Sequence, residues 1–226
     1  MSWDLDFGSI PGALPFLWTG MKVTLRITAT AILAGIGLGT VLAVMRLSRR
    51  RALSWLAAAY VNAFRAIPLV MVLLWFFLVV PALLDRLFAI PRHADTRLVS
   101  AMVAFALFQA AYYAEIIRAG IQAVPSGQLA AALALGMTPA KAMALVVLPQ
   151  AFRKMIPLLL TQSVILFQDT SLVYVSAVAD FFGAAYKVGD RDGRLVELLL
   201  FAGAVYLAVS FAASRLVRRW QERLAA

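Results

Sequence analysis

The stretch from Ser126 to Pro149 reads SGQLAAALALGMTPAKAMALVVLP. It is apolar enough to pass for a membrane span, yet its punctuation argues against one. Gly136 stands where a helix ends, Thr138 can cap a new helix and Pro139 suits that helix's first turn. Pro125 and Pro149 close off the two sides. The pattern predicts two short helices joined by a glycine hinge. Such a unit is a poor way to cross a bilayer and a good way to offer a small knob to another protein.

The rest of the chain reads as membrane protein. Its 226 residues are 63% hydrophobic and 14% charged, with a mean hydropathy of +0.88, a balance that would leave a soluble domain covered in apolar surface. The net charge of +10 does not point to nucleic acid, because the basic residues flank hydrophobic runs as loop charges do. Zero cysteines exclude disulfides and thiolate chemistry, and a single histidine, His93 in a polar loop, leaves no basis for a histidine metal or catalytic cluster. The acidic start, MSWDLDFGS, lacks the basic opening of a signal peptide, so the first apolar run is expected to be retained.

With the hinge segment set aside, five runs approach the ~20 residues needed to cross the hydrocarbon core: about 27–46, 57–84, 98–120, 155–179 and 198–216. The fold expected is therefore all-α and polytopic, with five transmembrane helices and a loop at 125–149 on the cytoplasmic side. Charge decides between five spans and six. Arg46, Arg49, Arg50 and Arg51 follow the first span, and Arg215, Arg218, Arg219 and Arg223 follow the last. Cytoplasmic loops are rich in Lys and Arg, so both clusters belong on one side, which five spans achieve and six do not. The N-terminus is then periplasmic and the C-terminus cytoplasmic, with residues 1–19 an outer segment, 20–219 the transmembrane domain and 220–226 a cytoplasmic tail. Lys141, Arg153 and Lys154 fall inside. The outer loops mix signs: Asp85, Arg86, Arg92, Asp95 and Arg97 in one, and Asp180, Lys187, Asp190, Arg191, Asp192, Arg194 and Glu197 in the other. Lys22 and Arg26 fit less well, and are accommodated by an interfacial amphipathic segment, Pro11–Arg26, lying along the membrane.

Several polar residues within the spans are candidates for a translocation path. Asp169 is expected near the middle of the fourth span, where an ionised carboxylate costs ~2.5–3.5 kcal/mol on insertion scales. Gln168, Thr170 and Ser171 surround it in sequence; either they line a water-filled path with it, or Asp169 is capped inside the bundle for structure alone. Arg65 precedes Pro68, whose ring frees a helical carbonyl. It either faces a central cavity, where it can hold a carboxylate in bidentate fashion, or snorkels to the interface. Glu115 and Arg118, three apart, share a helix face and pair, or relay motion toward the hinge loop at Pro125. Gly35 and Gly39 form a GxxxG suited to close helix packing, within one subunit by default.

Beyond these local readings, the hinge segment resembles the EAA loop of type I ABC-importer permeases, Glu-Ala-Ala, x3, Gly, x9, Ile-x-Leu-Pro. Ala131, Ala132, Gly136, Leu148 and Pro149 hold the spacing, with Gly127 opening the loop, while Ala130 stands for the usual Glu and Val146 for Ile. Tyr60–Leu69, Ala111–Gln122, Leu148–Arg153 and Asp169–Leu172 are similar to segments of polar amino-acid permeases, and the likeness runs from about Thr19 to Arg219. The run Ala131 to Met137 and the sequence Phe-Gln168-Asp-Thr-Ser are most similar to glutamate/aspartate importer permeases.

The resemblance implies a bacterial inner-membrane subunit with no cofactor of its own. Its implied partners are a cytoplasmic ATPase dimer docked on Gly127, Ala130, Ala131, Ala132, Gly136 and Pro149, a periplasmic amino-acid-binding protein, membrane lipid and a second permease in a heterodimer. Arg65, Glu115, Gln168, Asp169 and Thr170 are its candidate path. Permeases for glutamine, histidine, arginine or cystine are the neighbouring alternative. No phosphate loop of the GxxxxGK[ST] type occurs, so ATP hydrolysis is expected in a separate subunit. A membrane-embedded hydrolase would need a partner for Asp169 at matching depth, and none is evident. A non-transporting scaffold would have no use for the polar cluster, nor would an ion-driven carrier have one for the knob.

Overall fold

A computed structural model describes residues 5–88 and 96–225; Arg92, His93 and Asp95 of the predicted outer loop lie outside them. Among the described residues every regular element is helical: α1 (Ser9–Arg46), α2 (Arg51–Ala66), α3 (Leu69–Phe88), α4 (Arg97–Gln122), α5 (Ser126–Ala134), α6 (Pro139–Ala142), α7 (Leu148–Asp169), α8 (Phe181–Asp192) and α9 (Leu195–Ala225). A π turn, Met143–Val147, fuses α6 to α7, and a 3₁₀ segment, Thr170–Ser176, extends α7. Four helical stretches are long and apolar enough to cross a membrane, and the bent pair α2–α3 makes a fifth.

The spine is the pair α1–α4, which run parallel. Gly35 and Gly39 of α1 sit directly over Tyr113 of α4. A Cβ built on Gly39 would lie 2.9 Å from the Tyr113 Cβ and 3.0 Å from the backbone of Ala110 and Ala114. Here the GxxxG packs within the chain, as expected by default, while Gly37 between them faces open space. At one end of this seam Arg46 pairs with Glu115, which also pairs with Arg118.

α7 runs antiparallel to α4, with Ser163 Oγ 2.7 Å from the Tyr113 hydroxyl and Gly120 against Met155. α9 returns antiparallel to α7, bringing the rings of Phe167 and Tyr206 to 5.2 Å.

Three expectations are corrected. Residues 11–26 are not a separate interfacial segment, because α1 is unbroken. Its buried stripe Ala13, Leu17, Gly20, Met21, Thr24, Ile27, Ala31, Gly35, Gly39 and Ala43 keeps helical spacing throughout and finds protein along its whole length. Lys22 and Arg26 lie on its exposed face.

The second span, expected as one helix over 57–84, bends by 106° between α2 and α3. Pro68 disfavours helical geometry at the residue before it, and Ile67 is extended, φ −100° and ψ 135°.

The loop of mixed charges after the fourth span contains a helix, α8. Lys187, Asp190 and Arg191 share its outer face, while Phe181, Ala184, Ala185 and Val188 are buried with Ala13, Leu17, Leu198 and Ala202. Asp180 caps it through Gly183 N–H at 2.8 Å, and Gly193, at φ +67°, ends it. Asp180, expected in an exposed loop, is fully buried. Its Oδ2 accepts weakly from Thr24 at 3.5 Å and Tyr206 at 3.4 Å, and Thr24 Oγ1 accepts from Phe181 N–H at 3.0 Å. Burial pushes its carboxyl up to about 6, while the Gly183 and Phe182 N–H groups hold it down.

Candidate functional site

The break at Ile67–Pro68 opens a cavity of about 450 Å³, walled by Arg65, Pro68 and Leu69, by Phe108 and Tyr112 of α4, and by Gln162, Ile165 and Asp169 of α7. Two proline effects build it. The ring fixes the bend, and the missing N–H leaves the Phe64 carbonyl without its helical donor. Arg65, on the last turn of α2, is carried to the cavity wall, its guanidinium 5.6 Å from the centroid of the Tyr112 ring, within cation–π range. A cation held over an aromatic face at a cavity wall is suited to a carboxylate.

Of the five path candidates, the fold brings Arg65 and Asp169 together on this cavity. It does not bring the others. Gln168 is exposed on a different face of α7. Thr170 is buried and its hydroxyl donates to the Phe167 carbonyl at 2.7 Å, while Ser171 donates to the Gln168 carbonyl at 2.8 Å. The cluster expected around Asp169 is therefore absent, because short hydroxyl side chains satisfy themselves on their own helix. Glu115 does not line the cavity; it is held between Arg46 and Arg118, near enough to Arg65 to feel its charge. Asp169 lies inside the helical stretch that continues to Ser176. It is the last α-helical residue before the 3₁₀ segment, which ends at Ala177 with φ 54°.

Gln162 and Tyr112 were missed. Gln162 stands seven residues before Asp169, two helical turns, which places both on one face. That spacing was available in the sequence. Tyr112, by contrast, is marked only by tertiary packing.

The knob is built from its own caps. α5 ends in a Schellman motif, Gly136 N–H donating to the Leu133 carbonyl at 3.0 Å and Met137 N–H to that of Ala132 at 3.2 Å, with Gly136 at φ +81°. Thr138 then caps α6, accepting from Lys141 N–H at 3.4 Å, and Pro139 opens it. The hinge thus has the two helices and the glycine expected of it.

Pro149, however, does not close the segment. The helix runs through it, and the π turn immediately before widens the ladder where the proline ring would meet the Leu145 carbonyl. Ala132 is buried, whereas Gly127, Ala130, Ala131 and Pro149 are exposed, and Leu135 is 81% exposed at the tip. The knob is tied to the bundle at its base: Gln150 Nε2 donates to Gln128 Oε1 at 3.2 Å, and Lys154 Nζ to the Ala123 carbonyl at 2.6 Å.

A bundle of apolar helices with a proline-broken span, an arginine-bearing cavity and a capped, unburied knob has the make-up of a multi-pass membrane permease. Residues 35–225 match the family model described as the binding-protein-dependent transport system inner membrane component, and the chain belongs to that family of type I ABC-importer permeases. It is 57% identical over 223 residues to the glutamate/aspartate import permease GltK of Escherichia coli O6:H1, covering 99% of this chain and all of that one. It is 36% identical to the arginine transport system permease ArtQ of Bacillus subtilis, covering 90% of each. A crystal structure of an amino acid ABC transporter with histidines superposes with a TM-score of 0.86 at 31% identity, over 97% of this chain and 99% of that one. The MetNI methionine transporter shares the fold at 19% identity and a TM-score of 0.68. The protein is thus a transporter component of the bacterial inner membrane, from a family that works with ATP-binding subunits and substrate-binding proteins.

Proposed function

We propose that this permease carries acidic amino acids, L-glutamate and L-aspartate, inward, and that ATP hydrolysis in a separate subunit drives it. The 57% identity along the whole chain to a glutamate/aspartate import permease is the observation that carries this reading. Arg65 in the cavity supports it chemically, since an acidic substrate brings an extra carboxylate that a guanidinium can hold. A second, related permease completes the path, because one five-span chain encloses too little of it. The end bearing Arg46, Lys154 and Arg218 faces the cytoplasm, with the N-terminus opposite. The ATPase dimer grips the knob around Leu135 and Gly136, and its closure tilts α7 against α4 through the Lys154 and Gln150 ties. A binding protein docks at the other end, around α8. Two arrangements of the bundle, one biased by nucleotide and the other by the loaded binding protein, then alternate access to the cavity.

The test is ATPase activity of the assembled complex in nanodiscs, with binding protein added empty or loaded with glutamate, glutamine or arginine. Stimulation by the glutamate-loaded form above the others is expected. Equal stimulation by glutamine or arginine would overturn the acidic assignment, and indifference to any loaded binding protein would overturn coupling itself.

A further inference from the structure

The outer face between α7 and α9 carries two adjoining hollows that the transport path does not use. The larger, about 430 Å³, is an apolar slot walled by Ile156, Leu160, Ala213, Leu216 and Trp220. The smaller, about 180 Å³, mixes the polar side chains of Thr161, Ser214, Arg218 and Gln221 with two valines. Val164 and Val217 form the wall common to both. Along α9 the slot runs from Val209 to Trp220, about 16 Å at the helical rise.

Charge is concentrated beside this seam. Arg215, Arg218 and Arg219 occupy consecutive turns, all exposed, and α9 has no acidic residue between Leu198 and Gln221. Arg215 lies over the Phe211 ring at 4.7 Å. Among the described residues none of these three arginines is paired with a carboxylate. A long apolar slot beside a small hollow edged by a guanidinium, two hydroxyls and an amide, with a tryptophan at the same end, is the chemistry of an anionic lipid's two parts. A second copy of this chain seated symmetrically on the face would instead bring two sets of the same three arginines together, with Glu222 the one acid nearby on each copy.

We propose that the α7–α9 seam is a binding site for one anionic phospholipid of the phosphatidylglycerol type. An acyl chain occupies the slot, and the phosphate sits at Arg218, Gln221, Ser214 and Thr161. Charge at a membrane surface attracts such lipids in general; a shaped slot next to the charge adds retention. One wall of the site is α7, which also carries Asp169 and the knob ties Gln150 and Lys154, so an occupied slot braces α7 against α9.

The test is native mass spectrometry of the complete transporter complex, extracted in mild detergent from membranes and exchanged against mixed phosphatidylglycerol and phosphatidylcholine. Because the readout is lipid count, it stands apart from which amino acid is carried. Wild type is expected to retain phosphatidylglycerol selectively, and Arg218→Gln and Ala213→Trp each to lower that retention about 10-fold. Arg49→Gln, an exposed arginine at the same end of the bundle, is expected to leave it unchanged. Equal retention in wild type and both seam variants would overturn the proposal. So would an Arg49→Gln loss as large as that of Arg218→Gln, which would mean headgroup attraction without a site. Dissociation of another subunit by Ala213→Trp at unchanged lipid count would assign the face to a protein partner instead.

Discussion

The α1–α4 seam and the cavity wall are made from the same apolar alphabet and are built in opposite ways. Along the seam both helices are unbroken, glycines bring the backbones together, and Tyr113 is fully buried over them. Around the cavity three of the four contributing helices are interrupted, α2 and α3 at Ile67–Pro68 and α7 by the π turn at its start and the 3₁₀ segment at its end, while α4 passes unbroken and lends Phe108 and Tyr112 to the wall. Close-packed, fully bonded helices resist displacement. Helices with freed carbonyls and mixed hydrogen-bond registers have more than one low-energy arrangement, and such breaks recur where polar groups must be offered inside a membrane. In the proposed mechanism the close-packed seam is the frame and the interrupted helices are the moving parts, and the cavity-facing charges, Arg65 and Asp169, lie on the latter.

The most severe test of the frame is Gly39→Leu. Its Cβ alone would lie 3.0 Å or less from α4 backbone and the Tyr113 Cβ, atoms that cannot swing aside. Overpacking of this kind costs ~1–3 kcal/mol or more, so most of the folded protein is expected to be lost in fluorescence-detected size exclusion. Gly37→Leu, two residues away in open space, is the matched control and is expected to fold as wild type. If the two variants behave alike, the seam is not the frame.

Next in size is Arg65→Ala, which tests the moving side. Its side chain meets the cavity rather than a packed core, so the complex is expected to assemble and melt normally while glutamate uptake in proteoliposomes falls at least 10-fold. That corresponds to ~1.4 kcal/mol or more of lost substrate interaction. Arg65→Lys keeps the charge without the fork and is expected to fall between the two. Normal uptake by Arg65→Ala would leave the cavity without its main functional group.

These two regions also differed in how far the sequence disclosed them. The seam was readable because its signal is local: GxxxG and a stripe at helical spacing. The knob was readable for the same reason, since Gly136, Thr138 and Pro139 act on their own backbone. The sequence also placed Pro68 beside Arg65, but the size of the bend depends on what α2 and α3 pack against, and composition carries no such information. Gln168, Asp169, Thr170 and Ser171 are adjacent in sequence, and adjacency was taken for proximity. On a helix successive residues point about 100° apart, so the neighbours that matter to Asp169 are at Gln162 and across the cavity at Tyr112. α8 was hidden because charged residues outweigh small apolar ones in a hydropathy reading, although Asp180 and Gly193 mark its two ends.

A smaller effect is expected from Gly136→Ala at the join between knob and bundle. An alanine at φ +81° is strained by ~1–2 kcal/mol, yet the position faces open space, so the chain folds and the strain is confined to the hinge. ATPase stimulation by loaded binding protein is expected to drop a few-fold, with complex assembly retained. Gly127→Ala, also in open space but inside α5, is expected to change nothing measurable. Equal loss from both would place the knob's role in its surface rather than in its hinge geometry.

The smallest difference expected is at Asp180, and it refines what belongs to the frame. Asp180 joins α8 to α1 and α9 through Thr24 and Tyr206, yet its contacts to both are long, at 3.5 and 3.4 Å, while its bond to the Gly183 N–H is 2.8 Å. Capping is therefore its main contribution, and the negative charge adds little because burial penalises it, pushing the carboxyl up to about 6. Asn caps as well as Asp does, so Asp180→Asn is expected to melt within about 0.5 kcal/mol of wild type, whereas Asp180→Ala loses the cap and ~1 kcal/mol. Thermal melts of the two purified variants separate the cases. A large loss in Asp180→Asn would mean that the carboxylate charge itself holds the three helices together, and the frame would then extend by electrostatics, not by packing alone, to the far end of α1.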